Sequence, residues 1–177
     1  LVSTTNWQPY TWSVNNVALA ENLNTALAFW QGGNPETGYQ LFESALIESM
    51  YLGASPGGFQ QLSFYDAIRG ELYRDFADPI GVASRALVEG LFGIQPNHLE
   101  HKLIIKPGFP EEWDHASLDL PDLDVAFKKA GKTATYTITN KFKTNLNLEL
   151  ELGLNSTKVK AVLVNGNPVN YQPVAEA

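Results

Sequence analysis

The spacing of apolar residues changes once along this chain, near Leu118, and that change bounds what the chain can fold into. Before it, apolar residues recur three and four apart, as on helices; after it, they alternate with polar residues, as in half-buried strands. A 177-residue chain patterned in this way is expected to be α+β and built of more than one unit, helical over 1–117 and sheet-forming over 118–177.

The helical part carries explicit start and stop signals. Ser13 is expected to cap a first helix whose Val14, Val17, Ala18, Leu23, Ala26, Leu27 and Trp30 share a face, with Gly32 and Gly33 ending the run. Asn34-Pro35-Glu36 then supplies a cap, a first-turn proline and an acid favourable to the helix dipole. The second helix should bury Tyr39, Phe42, Ala45, Leu46 and Met50, and stop at Gly53 and Pro56-Gly57-Gly58. Asp78-Pro79 repeats the signal, with Asp78 as cap, before Ile80, Val82, Ala83, Ala86, Leu87 and Leu91; Gly93 closes that helix where a left-handed residue is wanted.

Leu41, Ile47, Leu52, Val88 and Phe92 lie off these stripes, so the helices are apolar over more than half their circumference and need neighbours on two sides. Three helices cannot supply them. An upstream part of the same polypeptide, or another subunit, is therefore expected to complete the helical layer, and a first residue that is Leu1 and not Met fits a processed or trimmed piece.

In the second part, Val125 and Phe127, then Tyr136 and Ile138 against Thr135, Thr137 and Thr139, then Leu146, Leu148, Leu150 and Leu152 alternate with period two. Gly131, Lys143-Thr144-Asn145 and Asn155-Ser156 provide turns, and the run from Val159 to Val164 leads into the hairpin signal Asn165-Gly166. An antiparallel sandwich or sheet is the expected solution. Between the halves, Pro107, Pro110 and Pro121 punctuate a segment too apolar for a flexible linker, which should pack across the junction.

Charge narrows the partners. With 12 Lys+Arg against 19 Asp+Glu, the net charge of −7 lacks the basic face that a phosphate backbone requires, so no nucleic-acid partner is expected. No apolar run reaches the roughly 20 residues of a membrane span, and the N-terminal stretch lacks the basic-then-apolar order of a secretion signal. The absence of cysteine fits a reducing cytosol or a cysteine-avoiding envelope protein, and excludes a thiolate nucleophile. His98 and His101, with Glu100 between them and His115 nearby, lack a helix or a third ligand at suitable spacing, so no metal is expected, and no cofactor.

The last helix and its exit, DPIGVASRALVEGLFGIQPN (78–97), the junction LIIKPGFPEEW (103–113) and the C-terminal VKAVLVNGNPV (159–169) resemble the C-terminal end of glycoside hydrolases built on an (α/α)6 toroid followed by a β-sandwich. Rhamnosidase, trehalase and glycoside phosphorylase relatives share that plan. ENLNTALAFWQGGNPETGYQLFESALIESMYLG (21–53) looks like an earlier hairpin of such a toroid, similar to glycosidase-like proteins of gut bacteria. The resemblance implies an incomplete arc of toroid helices and junction over 1–117, a C-terminal β-sandwich over 118–177, a carbohydrate substrate and a periplasmic or extracellular location, with a cytoplasmic one also open.

Glycoside hydrolysis uses two carboxyl groups, one protonating the leaving oxygen and one ionised. In the families resembled, the base often lies on the loop leading into the last helix; here that loop offers Asp66, Glu71, Asp75 and Asp78. Glu71 is the first candidate for the base and Asp75 the second. Gly70 would let backbone approach a ligand, Tyr65 and Tyr73 could wall a sugar cleft, and Arg69 and Arg74 could hold Glu71 ionised or neutralise it as ion-pair partners. Trp7, Tyr10 and Trp12, before the first helix, could stack on sugar rings or pack at the helix start. Glu43 and Glu48 are about 140° apart around a helix and make a poor catalytic pair. Two functions remain open on these residues: a glycoside hydrolase of which this chain supplies the closing part, or a non-catalytic toroid protein that binds glycan or holds partner subunits, its acids solvating a surface loop.

Overall fold

The structure, a computed structural model, describes residues 1–3, 16–52, 62–63, 77–153 and 159–173. Over these the chain is α+β, three helices followed by small antiparallel and mixed sheets. Helix α1 spans Leu19–Gln31, α2 Pro35–Ile47 and α3 Ala77–Arg85; α2 runs on into a π-helical turn at Glu48–Leu52, and α3 into another at Ala86–Leu91. α1 packs against both other helices.

The first helix starts later than its apolar spacing suggests. Val17 belongs to a two-residue strand β1, Asn16–Val17, paired antiparallel with β2, Leu62–Ser63, and Ala18 is extended (φ −88°, ψ 122°). An apolar residue at helical spacing fits a strand as readily when its backbone finds a ladder partner. Ser13 and Val14 lie outside the described residues. The buried Asn22 holds the chain end instead: its amide accepts from Val2 N–H (2.8 Å) and donates to Val2 C=O (2.9 Å).

At α2 the local chemistry acts as expected. Asn34 accepts from Thr37 N–H (3.2 Å) and Pro35 opens the helix. Further along, the face turns. A π-helical turn advances fewer degrees per residue than an α-helix, and within it Ser49 is fully buried while Met50, expected inside, is 42% exposed. Leu41, expected off the stripe, is buried. The third helix likewise leaves Ile80 exposed, and it begins at Ala77, so Asp78 sits within the first turn and not before it. Gly93 ends the helical run at φ +64°, and a Cβ there would lie 1.8 Å from Lys106 C=O.

The strands form two three-stranded sheets. β3 (Ile94–Asn97) pairs antiparallel with β4 (Lys102–Ile105), and β5 (His115–Asp119), β6 (Leu123–Ala130) and β7 (Thr133–Asn140) form a meander. The periodicity change at Leu118 falls inside β5. β8 (Asn147–Leu150) returns beside β4 and runs parallel to it, where antiparallel pairing was expected. The whole β5–β7 meander intervenes between β4 and β8, and a connection of that length allows parallel pairing. A hairpin of β9 (Leu163–Val164) and β10 (Asn167–Pro168) turns at Asn165 and Gly166, both at positive φ, as the dipeptide predicts. Its ladder is two residues long, so most of the run from Val159 onward is not strand.

One hydrophobic core joins helices to sheets. Leu19, Leu23, Ala26 and Trp30 of α1 cluster with Phe42, Ala86, Leu103, Ile105, Leu123 and Val125. The proline-rich junction lies in this contact: Trp30 Nε1 donates to Gly108 C=O (3.0 Å), Phe109 meets Phe92 edge-on and stacks on Phe127, and Glu36 accepts from Glu111 N–H (3.1 Å).

Candidate functional site

Glu71, Asp75, Tyr65, Tyr73, Arg69, Trp7, Tyr10 and Trp12 all lie outside the described residues, as do Asp66, Gly70, Arg74 and the turn expected at Asn155-Ser156. What the structure describes is where their segments attach. Asn16 pairs with Ser63 and Val17 with Leu62. In an antiparallel ladder the chain preceding one strand and the chain following the other leave from the same end. The segment that carries Trp7, Tyr10 and Trp12 and the loop that carries Tyr65, Arg69, Glu71, Tyr73 and Asp75 therefore attach side by side at Asn16 and Ser63. The far end of that loop is held at Ala77, the first residue of α3.

A second chemically distinctive surface lies at the junction, where an open hollow of about 410 Å³ is lined by Glu112, Trp113, Asp114 and His115. The Trp113 ring is half-buried between Phe109, stacked at 6.1 Å, and Tyr39 of α2, edge-on at 5.3 Å. The hydrogen bond from His115 Nδ1, 2.5 Å from Asp114 Oδ1, holds the Asp114 carboxyl below its usual range, although both side chains face solvent. Tyr39 donates to Glu43 (3.2 Å), and burial, with the Glu43 charge second, raises its phenol pKa. The run Glu112-Trp113-Asp114-His115 sets two acids, an aromatic ring and a histidine together in the sequence; what the sequence lacked was the Tyr39 and Phe109 contacts that orient the ring.

The three histidines serve three different surroundings. His98 lies edge-on to Phe142 and 3.3 Å from Thr144 Oγ1, His101 occupies a turn at φ +52°, and His115 faces Asp114. Among the described residues no three potential ligands gather. Glu43, exposed on α2, is engaged by Tyr39, and Glu48 begins the following π-helical turn. No described helix is long and apolar enough to cross a membrane. No protein-family model, curated protein or solved structure matches the chain.

Proposed function

We propose that this chain is the C-terminal portion of a glycoside hydrolase that cleaves oligo- or polysaccharide by carboxylate acid–base catalysis. In this reading α1–α3 are the closing arc of an (α/α)6 toroid, residues 118–177 belong to a C-terminal β-sandwich unit, and Glu71 is the base, with Asp75 the second candidate. The observation that carries it is the β1–β2 ladder. It pairs Asn16, which follows the segment of Trp7, Tyr10 and Trp12 in sequence, with Ser63, which precedes the stretch of Tyr65, Arg69, Glu71 and Tyr73. Apolar rings and a carboxylate from two distant stretches of sequence are what a sugar cleft combines.

The helical layer supports the arc. Tyr51 and Leu52, at the end of α2's π-helical turn, are 76% and 71% exposed, and Phe29, Ile47 and Ile80 are also open. Apolar surface of this kind on helices suits cover by further protein, supplied by an upstream stretch of the polypeptide or by another subunit. A periplasmic or extracellular location would bring the protein to its glycan.

Release of reducing ends from a panel of polysaccharides, measured with the complete protein, tests the reading. Glu71→Gln should keep the circular dichroism spectrum and lower turnover at least about 10²-fold, the scale of a lost general base. Hydrolysis at the parental rate by this variant removes Glu71 from the mechanism. Glycan binding without hydrolysis by the parent protein would replace the enzyme with a glycan-binding toroid.

A further inference from the structure

We propose that the outer edge of β8 is a self-association surface that pairs antiparallel with β8 of a second copy, about a two-fold axis at Leu148. β8 is the last strand of the β3-β4-β8 sheet, and among the described residues no strand pairs on its far side. All four of its residues are exposed, with Leu148 at 47% and Leu150 at 38%. An unpaired edge that also shows leucines is a template for another strand unless something blunts it. β8 contains neither proline nor lysine.

Backbone direction selects the pairing residues. Asn147 N–H donates to His101 C=O (2.7 Å) and Glu151 N–H to Ile105 C=O (3.0 Å), so the odd-numbered residues spend their backbone groups on β4. Successive residues of a strand point these groups to opposite sides, so Leu148 and Leu150 turn theirs outward. A two-fold axis can pass through a hydrogen-bonded pair, at Leu148 or Leu150, or through a non-hydrogen-bonded pair, at Glu149 or Asn147. At Glu149 it would set that carboxylate against itself, and at Asn147 it would need Thr144 and Lys143, which form a bend, opposite Leu150 and Glu151, so the two leucines are left.

Charge selects between them. With the axis at Leu150, Glu149 would face Glu151 of the second copy twice over, setting like charges directly opposite each other. With the axis at Leu148, Asn147 faces Glu149, Asn145 faces Glu151 and Leu146 faces Leu150. Every carboxylate then has an amide across the seam and every leucine a leucine. The two three-stranded sheets would join into one of six strands, with the exposed Leu148 meeting its own copy and the exposed Leu150 meeting the half-buried Leu146.

Sedimentation of the 177-residue chain over a concentration series tests this. A reversible monomer–dimer equilibrium is expected. Asn147→Glu sets carboxylate against carboxylate and should weaken the dimer about 2- to 30-fold, and Asn147→Lys should strengthen it by a similar factor, two exposed cross-strand pairs being changed at once. Leu148→Pro removes an outward N–H that β4 does not use and should abolish the dimer. If that variant loses its fold, the Asn147 pair, at an exposed side chain, still decides the matter. Because the chain has no cysteine, Leu148→Cys introduces a single thiol that faces itself across the axis and should form a disulfide-linked dimer on mild oxidation, whereas Asn147→Cys, two residues out of register with itself, should not. A chain that stays monomeric to about 1 mM, where even weak association shows, overturns the proposal. So does a dimer indifferent to the Asn147 variants, which would place association on the apolar helix surface instead.

Discussion

Trp30 shows how much one side chain can demand of its surroundings. Its ring lies against three glycines from three parts of the chain, and a Cβ at Gly90 would approach Cε3 to 2.2 Å, at Gly108 would approach Cδ1 to 2.3 Å, and at Gly38 would reach 3.0 Å. The indole N–H reaches Gly108 C=O and the ring meets Phe42 edge-on at 5.5 Å, so it has no free direction in which to retreat. Gly90→Ala should therefore cost about 1–3 kcal/mol by overpacking, despite alanine's better helix propensity. Gly81 in α3 is the control. A Cβ there meets nothing within 4 Å, so Gly81→Ala should gain up to about 1 kcal/mol. Opposite shifts of the urea midpoint check both; two stabilised variants would show that Trp30 gives way.

At the scale of elements, what the sequence revealed was what neighbouring residues decide among themselves. Asn34 caps α2, Gly93 ends the third helical run at positive φ, and Asn165-Gly166 turns a hairpin, each within a span of a few residues. Features that depend on distant partners were not legible. The π-helical turn that buries Ser49 in place of Met50 has no signal in the apolar spacing, and the strand that takes Val17 and the parallel placement of β8 follow from contacts made far along the chain. The pairing of Asn16 with Ser63 shares that property: it joins stretches some fifty residues apart through a ladder of two residues, which leaves no periodic trace. Short ladders also set local stability. β9–β10 has two paired residues on each side and exposes Leu163 and Val164, whereas β6 pairs on both edges and buries Leu123 and Val125. Hydrogen exchange should thus be fast throughout β9–β10 and slowest in β6. Protection of the hairpin comparable to β6 would mean that it is covered in solution.

For the molecule as a whole, the question is whether helices and strands share one stability or hold two. Leu23 of α1 is fully buried, Val125 of β6 is fully buried, and both belong to the same apolar cluster. Between them run Trp30 against Gly108, and a chain of rings from Phe92 through Phe109 and Phe127 to Tyr136. If the helices opened alone, Leu123, Val125 and Ile105 would lose apolar cover at about 25 cal/mol for each Å² newly wetted, so the meander would be destabilised by the loss of its neighbour. Unfolding followed by far-UV circular dichroism, dominated by the helices, and by Trp fluorescence of a variant with Trp7 and Trp12 replaced by Phe, which leaves Trp30 and Trp113 at the junction as reporters, should give one shared midpoint. Leu23→Ala, costing about 2–5 kcal/mol as a buried leucine truncation, should lower that midpoint for both probes together, and Val125→Ala on the far side of the core should do the same. If Leu23→Ala moved the helical signal and left a second transition at the parental midpoint, the strands would be a unit able to fold without the helices, and the shared core would be a contact surface between two stabilities.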